Sequence, residues 1–311
     1  MDLQTLPVLS LADAPASLSR DLGESFQTFG FAMVKDHGLD PDLVARAWDL
    51  TAQFFALPEE EKRRYAIPGQ GGARGYTPFG TEIAKGAKAH DLKEFWHVGR
   101  DLPAGHPLSD SMPPNVWPDR PEGFRATFEE LYAELDRVGA TILSRIATWL
   151  KLDEHWFDPA IEDGNSVLRL LHYPPVPNAE GGAIRAGAHE DINLITLLLG
   201  AEEAGLELLS REGKWLAVDP PEGALVVNIG DMLQRLTNHV LPSTTHRVRN
   251  PEGPRAAHSR YSMPFFLHLR SDFPFVTLPQ CITAERPDRY PVSITADDYL
   301  QERLREIGLK M

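Results

Sequence analysis

The chain has 311 residues, of which 42 % are hydrophobic and 24 % are charged, and its formal net charge is −14 at pH 7. This composition is typical of a globular protein with a large core, and the negative charge argues against nucleic acid and anionic membranes as partners. The single cysteine, Cys281, allows no intramolecular disulfide, and the sequence shows neither a signal peptide nor an apolar run of membrane-spanning length, so a cytoplasmic protein is expected.

The N-terminal part of the chain is predicted to be mainly helical. Apolar residues at helical spacing predict a first helix that ends at Gly30. A short strand is predicted in residues 30–38, because apolar and polar residues alternate between glycines. A second helix follows in residues 40–57, with an aspartate and a proline at its start, and a third begins at Pro58.

Residues 68–120 contain many Gly and Pro residues and are predicted to form loops around one ordered segment. Arg74 and Tyr76 lie in one of these loops, where side chains often contact a substrate, although a solvated turn is an equal alternative. The ordered segment mixes charge with aromatic rings, as either a pocket wall or an amphipathic surface segment would. Its side chains of interest are Lys93, Glu94, Trp96 and His97.

The second half of the chain changes from helical to β patterning. A long helical pattern covers residues 123–152, and from Ser166 onward short apolar runs are separated by Gly, Pro, Asn and Asp. Such spacing is typical of a β-barrel or a β-sandwich. A final helix is predicted over residues 295–309.

Two residues of metal-ligating type, His189 and Asp191, stand two apart at the head of an apolar run in residues 186–200. If this run is a strand, both side chains point to one face. His246 is the best candidate for a third ligand, and two histidines with one carboxylate form the facial triad of non-haem Fe(II) oxygenases. A buried His–Asp hydrogen bond is the alternative for the pair alone, and His239 is a second imidazole near His246.

A carboxylate-binding group is predicted a little further along the chain. Arg260 and Ser262 are two apart, so they share a face if they lie on a strand. A guanidinium binds a carboxylate through two hydrogen bonds, and a hydroxyl adds a third. Tyr173 can supply another hydroxyl, and Phe266 shares the face of Ser262, where it would line the site.

These motifs together resemble the isopenicillin N synthase-like branch of the Fe(II)- and 2-oxoglutarate-dependent dioxygenases. The resemblance covers about residues 5–290. Leu171 stands where the family often has an asparagine. The motifs that carry the resemblance are His172-Tyr173-Pro174, His189-Glu190-Asp191, His246 and Arg260-Tyr261-Ser262.

The resemblance implies an α+β fold in which helices flank a double-stranded β-helix, also called a jelly roll. It implies an N-terminal dioxygenase region at 1–122 and a second region at 123–311. The second region would hold the long helix, the catalytic core at about 165–270 and the C-terminal helix, and the whole chain would form one compact unit.

The resemblance also implies the chemistry of the site. His189, Asp191 and His246 would hold Fe(II) as the catalytic centre, where 2-oxoglutarate and O₂ would bind. The far carboxylate of 2-oxoglutarate would bind Arg260, Ser262 and Tyr173. A small-molecule substrate would then be oxidised, most simply by hydroxylation, with release of succinate and CO₂.

Three other functions stay open on the sequence. One is an oxidase of the isopenicillin N synthase type, in which the substrate itself ligates iron and no 2-oxoglutarate is used. Another is a non-catalytic metal- or ligand-binding protein on the same scaffold. A zinc hydrolase with the same three ligands is the third. The substrate and the oligomeric state are not predicted.

Overall fold

The computed structural model describes residues 5–68, 72–81, 91–175, 185–200, 205–250 and 256–306. Helices cover one face of a large mixed β-sheet, and a smaller sheet packs on its other face. The α-helices are α1 (Pro15–Phe29), α2 (Pro41–Phe55), α3 (Glu59–Arg63), α4 (Phe124–Trp149), α5 (Asp158–Ile161), α6 (Asp231–Leu236) and α7 (Ala296–Glu306).

The helix boundaries follow the signals in the sequence. Helix α1 ends where Gly30 adopts a left-handed conformation with φ of 70°. Helix α2 begins after Asp40, whose carboxylate accepts a hydrogen bond of 2.9 Å from the backbone N–H of Asp42. The predicted helices are therefore confirmed, except that residues 307–309 of the last one lie outside the described residues. None of the described helices is long and apolar enough to cross a membrane.

The strands form two main sheets and one small pair. The larger sheet has the order β1-β2-β10-β7-β12-β5-β4-β3, and the smaller has the order β6-β11-β8-β9. The strands are β1 (Val8–Ser10), β2 (Phe31–Lys35), β3 (Gly75–Thr77), β4 (Glu94–Gly99), β5 (Val167–Tyr173), β6 (Ala186–His189), β7 (Ile195–Leu199), β8 (Leu206–Leu209), β9 (Trp215–Ala217), β10 (Leu225–Ile229), β11 (His246–Val248), β12 (Arg260–Leu267), β13 (Pro274–Phe275) and β14 (Ile294–Thr295).

The two faces of the larger sheet have different partners. On the outer face, Trp96 of β4 packs edge-on against Phe54 of α2 and Phe124 of α4. On the inner face, residues such as Phe31 join Leu208 of the smaller sheet in a second apolar cluster. This arrangement confirms the jelly roll flanked by helices, and the two sheets enclose the space in which the predicted site residues lie.

The N-terminal region contributes strands as well as helices. Strands β1 to β4 all belong to the larger sheet, and β2 pairs with β10 while β4 pairs with β5. Strand β3 lies in the segment that was predicted to be loop, because three residues are too few to show an alternating pattern. The segments 69–71 and 82–90 of that loop region lie outside the described residues.

The segment that carries Glu94 is a buried strand, so the alternative of an amphipathic surface segment is wrong. Glu94 forms an ion pair of 2.8 Å with Lys62, and it also accepts hydrogen bonds from Tyr76 and His172. Burial opposes the ionisation of Glu94, but these hydrogen bonds together hold its pKa below the usual value. The network ties α3 and β3 to the neighbouring strands β4 and β5.

Glu94→Leu is expected to lower the free energy of unfolding by about 3–5 kcal/mol, because it leaves the Lys62 ammonium buried without its counter-charge. Urea unfolding followed by circular dichroism measures the loss. The double variant Lys62→Met/Glu94→Leu removes both charges and should recover most of the stability. If the double variant is as unstable as the single one, the loss comes from packing and not from the unpaired charge.

Candidate metal centre and active site

Three predicted ligands converge between the sheets. His189 is the last residue of β6 and His246 is the first of β11, and the two face each other in the strand pairing. The Nε2 atoms of His189 and His246 lie 3.7 and 3.8 Å from the Asp191 Oδ1 atom. One ligand atom from each of the three residues lies within 4.8 Å of the others. The expectation that one strand carries both His189 and Asp191 is wrong, because β6 ends at His189 and Asp191 follows in the turn.

Backbone carbonyls orient the two imidazoles. The Nδ1 atom of His189 lies 2.6 Å from the carbonyl oxygen of Gly187, and that of His246 lies 3.1 Å from the carbonyl oxygen of Thr244. A carbonyl accepts only from a protonated nitrogen, so Nδ1 carries the proton in both rings. The lone pair of each Nε2 atom is therefore available to a metal.

The carboxylate of Asp191 is oriented in the same way. Its Oδ2 atom accepts hydrogen bonds of 2.5 Å from the Thr196 hydroxyl and 2.8 Å from the Asn228 amide. The Asn193 amide donates to the Thr196 hydroxyl, which leaves that hydroxyl to donate to Asp191. These contacts occupy Oδ2, so Oδ1 faces the two imidazoles.

The protonation states suit a cation. The His189 side chain keeps 38 % of its surface exposed. Desolvation of the ring between the two sheets and the neighbouring His246 nevertheless lower the pKa of His189 to about 4, so the ring is neutral near pH 7. Burial raises the pKa of Asp191, but His246, His189 and the hydrogen bonds from Asn228 and Thr196 outweigh burial and lower it below the usual value. Two imidazoles and one carboxylate are a donor set that fits a divalent first-row metal.

The spare imidazole of His239 lies away from this cluster. Its Nε2 atom lies 2.6 Å from the Tyr290 hydroxyl, and the two rings are stacked with an angle of 9° between their planes. The structure thus brings His246, and not His239, to His189 and Asp191.

The predicted carboxylate-binding residues also meet. Arg260 of β12 pairs with Tyr173 of β5, and its guanidinium lies 5.1 Å from the centre of the Tyr173 ring. The Nη1 atom of Arg260 lies 3.5 Å from the Ser262 hydroxyl, as expected for residues two apart on one strand. All three side chains are buried, and they line the inner face of the sheet on the same side as Asp191.

A second arginine at this place was missed by the sequence analysis. Arg185 is fully buried, its guanidinium lies 6.0 Å from the centre of the Tyr173 ring, and its Nη2 atom donates to the carbonyl oxygen of His258. One feature of the sequence could have indicated this, since Arg185 stands four residues before His189. On a strand, this even spacing places both side chains on the same face. Phe266 lies on the inner face as expected, opposite Thr196.

Comparison with known proteins agrees with this geometry. Residues 1–120 match the family described as the N-terminal region of non-haem dioxygenases in morphine synthesis, and residues 164–269 match the 2OG-Fe(II) oxygenase superfamily. The chain is 36 % identical over 299 residues to the 2-oxoglutarate-Fe(II) type oxidoreductase hxnY of Emericella nidulans, covering 93 % of this chain and 84 % of the relative.

Two solved structures extend the likeness to the fold. A 2OG-Fe(II) oxygenase family protein of Caulobacter crescentus is 55 % identical, with a TM-score of 0.92 over 98 % of this chain and 100 % of its own. A full-length Neurospora crassa protein, solved in complex with alpha-KG and thymine, is 28 % identical, with a TM-score of 0.86 over 98 % of this chain and 97 % of its own.

The chain belongs to the Fe(II)- and 2-oxoglutarate-dependent oxygenase family. As a member, it is an oxidoreductase that uses Fe(II), 2-oxoglutarate and O₂ and releases succinate and CO₂ as its substrate is oxidised. The isopenicillin N synthase-like branch fits these matches. These matches favour an oxygenase over a zinc hydrolase and over a non-catalytic metal- or ligand-binding protein.

Thr196→Val is expected to weaken metal binding by this oxygenase by about 10–100-fold, because it removes a hydrogen bond that orients the Asp191 carboxylate. Valine has nearly the shape of threonine, so packing against Phe266 is kept. Thr196→Ser retains the hydroxyl and should bind metal as the wild type does. Calorimetric titration with Mn²⁺, which resists oxidation, compares the three proteins, and equal affinities in all three would contradict the role given to the hydroxyl.

Proposed function

We propose that His189, Asp191 and His246 hold Fe(II) in this oxygenase and that its substrate is a small molecule. The observation that carries the proposal is the convergence of two imidazole Nε2 atoms and one carboxylate oxygen, with the Nδ1 atom of each ring bonded to a backbone carbonyl. When bound, the metal activates O₂ for attack on a C–H bond, with 2-oxoglutarate as the source of two electrons.

The second half of the proposal concerns the cosubstrate. Arg260, Ser262 and Tyr173 bind the far carboxylate of 2-oxoglutarate, since they place a guanidinium and two hydroxyls together in a buried position on the same inner face as Asp191. Arg185 adds positive charge beside the Tyr173 ring. The chain itself therefore binds and orients the cosubstrate.

Hydroxylation is the outcome that we propose for the substrate, because an oxygenase transfers an oxygen atom into it. The similar Neurospora crassa protein holds thymine together with alpha-KG, so a related fold accommodates both a small molecule and the cosubstrate. We also propose that regions 1–122 and 123–311 act as one unit around the core at 165–270. A cytoplasmic location is proposed on the single cysteine, Cys281.

The test is an anaerobic titration of the Fe(II)-loaded protein with 2-oxoglutarate, followed by the visible charge-transfer band of an iron-chelated 2-oxo acid. A band that saturates in the wild type and is absent in Asp191→Ala supports iron binding through Asp191 and the use of 2-oxoglutarate, and the Arg260→Ala variant tests the contacts of its far carboxylate. Succinate formation on admitting air provides an independent readout. If Fe(II) is bound but no band appears, the substrate itself ligates the iron, as in the oxidase alternative, and the 2-oxoglutarate half is wrong.

A further inference from the structure

One buried cation on the inner face has no role in the site described above. The Arg74 side chain is only 2 % exposed, in the turn that leads into β3. Its Nη1 atom donates to the carbonyl oxygen of Ala73, but its Nε and Nη2 atoms have no hydrogen-bond acceptor in the described part of the chain. Burying a guanidinium without an acceptor is costly, so this arrangement needs a reason.

The strand register places the Arg74 guanidinium on the inner face of the sheet. A Cβ atom added to Gly99 would lie 1.9–2.3 Å from the Cζ, Nη2 and Nε atoms of Arg74, so the guanidinium rests directly on that glycine. Gly99 lies two residues beyond His97 on β4, and the intervening Val98 packs in the core cluster on the helix side. Because strand side chains alternate, Gly99 faces the space between the two sheets.

A row of paired residues joins this position to the metal centre. Gly99 is opposite Val167 on β5, Val167 is opposite Phe266 on β12, and Phe266 is opposite Thr196 on β7. Thr196 in turn donates to Asp191. Three strand spacings separate Thr196 from Gly99, which is about 14 Å across the sheet.

The middle of this row presents apolar groups, with one further cation beside them, Arg169, whose Nε atom donates a hydrogen bond to His97. Val167 and the Phe266 ring lie in the middle, and the Arg169 guanidinium packs between the rings of Phe266 and Phe95, at 5.3 and 4.2 Å from their centres. The metal-binding cluster is at one end of the row and Arg74 is at the other. A molecule lying along it would present its middle to apolar groups and one end to the metal.

The N–H groups on Nε and Nη2 of Arg74 determine which chemical group at the other end of that molecule would bind there. Nε–H and one N–H of Nη2 point in the same direction on the edge of a guanidinium, and their spacing matches the two oxygens of a carboxylate. Burial of the guanidinium lowers the pKa of Arg74 and outweighs the effects of Tyr132 and Asp101, which raise it.

We propose that Arg74 binds the carboxylate of an acidic small-molecule substrate, whose oxidised carbon lies at the opposite, metal-facing end. This inference rests on the proposed function and specifies its substrate class. It also assigns Gly99 a role, since any side chain there would displace the guanidinium from the position in which it meets the carboxylate.

The experiment is isothermal titration calorimetry, which requires no turnover, on wild type, Arg74→Met and Gly99→Ala. The probes are phenylacetate, cinnamate and octanoate, each with its primary amide, and octyl phosphate. In the wild type at least one acid should bind at least about tenfold more tightly than its amide, a difference of about 1.4 kcal/mol. The preference should vanish in Arg74→Met and fall in Gly99→Ala, which moves the guanidinium without removing its charge.

Two further readouts separate this role from a structural one and from failure of the proposed function. Arg74→Met should keep or raise the melting temperature, because a buried, unpaired charge is replaced by an apolar group of similar length. Both variants should give the wild-type 2-oxoglutarate band, since neither change touches Arg260. A missing band in all proteins would count against the proposed function, whereas the acid-over-amide comparison would still decide the role of Arg74.

Three results would overturn the inference. The first is equal binding of acids and amides by the wild type. The second is an acid preference that persists in Arg74→Met, together with a lower melting temperature, which would make Arg74 structural. The third is tighter binding of octyl phosphate than of octanoate, which would exclude a carboxylate as the preferred group.

Discussion

Asp191→Ala is expected to abolish both Fe(II) binding and turnover. The carboxylate supplies the one anionic ligand of the cluster, and its loss leaves two neutral imidazoles to hold a dication. The effect should exceed the loss of about 10–100-fold that is typical when a single outer hydrogen bond to a ligand is removed. Iron content after anaerobic loading and succinate formation in air measure the two consequences separately.

The neighbouring acid provides a matched control. Glu190 precedes Asp191 but points away from the imidazoles, and its carboxylate accepts a hydrogen bond of 2.9 Å from the Thr245 hydroxyl. Glu190→Ala removes the same charge one residue away and should leave stoichiometric iron and activity. Stoichiometric iron in Asp191→Ala would show that the metal is held elsewhere.

Local patterns predicted the parts of the site that lie along one strand. Arg260 and Ser262 are two apart on β12, and the period of two alone places them on one face. His246 was assigned by its order in the chain, and its pairing with His189 across β6 and β11 follows from the strand register, which the sequence does not show.

The supporting groups of the site could not be predicted in this way. Asn228 reaches Asp191 only because β10 pairs with β7 in a register that places Asn228 opposite Thr196. Such contacts depend on the pairing of distant strands, and a single sequence contains no local signal for them. The position of Asp191 illustrates the same limit, since the turn after β6, and not strand alternation, brings its carboxylate to the imidazoles.

The loop region shows why composition alone is a poor guide to burial. Arg74 and Tyr76 lie among glycines, which made a solvated turn as reasonable as a contact with a substrate. In the structure both residues are 2 % exposed, because β3 adds to the edge of the sheet. Tyr76 packs in the core cluster on the helix side, and the Arg74 guanidinium rests on Gly99 of β4. The solvated turn is therefore wrong for these two residues.

Arg260→Ala is expected to raise the 2-oxoglutarate concentration needed for half-saturation of the iron-loaded protein by at least about 30-fold while leaving iron binding intact. Removing one partner of a buried, hydrogen-bonded charge pair costs about 2–5 kcal/mol, and 2 kcal/mol corresponds to about 30-fold in affinity. Ser262→Ala removes only one hydrogen bond and should cost about 0.5–1.5 kcal/mol. The two variants therefore rank the contributions of charge and hydroxyl.

The measurement is the anaerobic charge-transfer titration, with iron content determined on the same samples. Arg270→Ala is the matched control, because Arg270 follows β12, pairs with Asp272 near the surface and should not affect 2-oxoglutarate. Added methylguanidinium should partly restore the affinity of Arg260→Ala, since it replaces the missing group in a site of the right size. If Arg260→Ala retains wild-type affinity, the far carboxylate binds elsewhere, and Arg185, which also lies against the Tyr173 ring, becomes the residue to test.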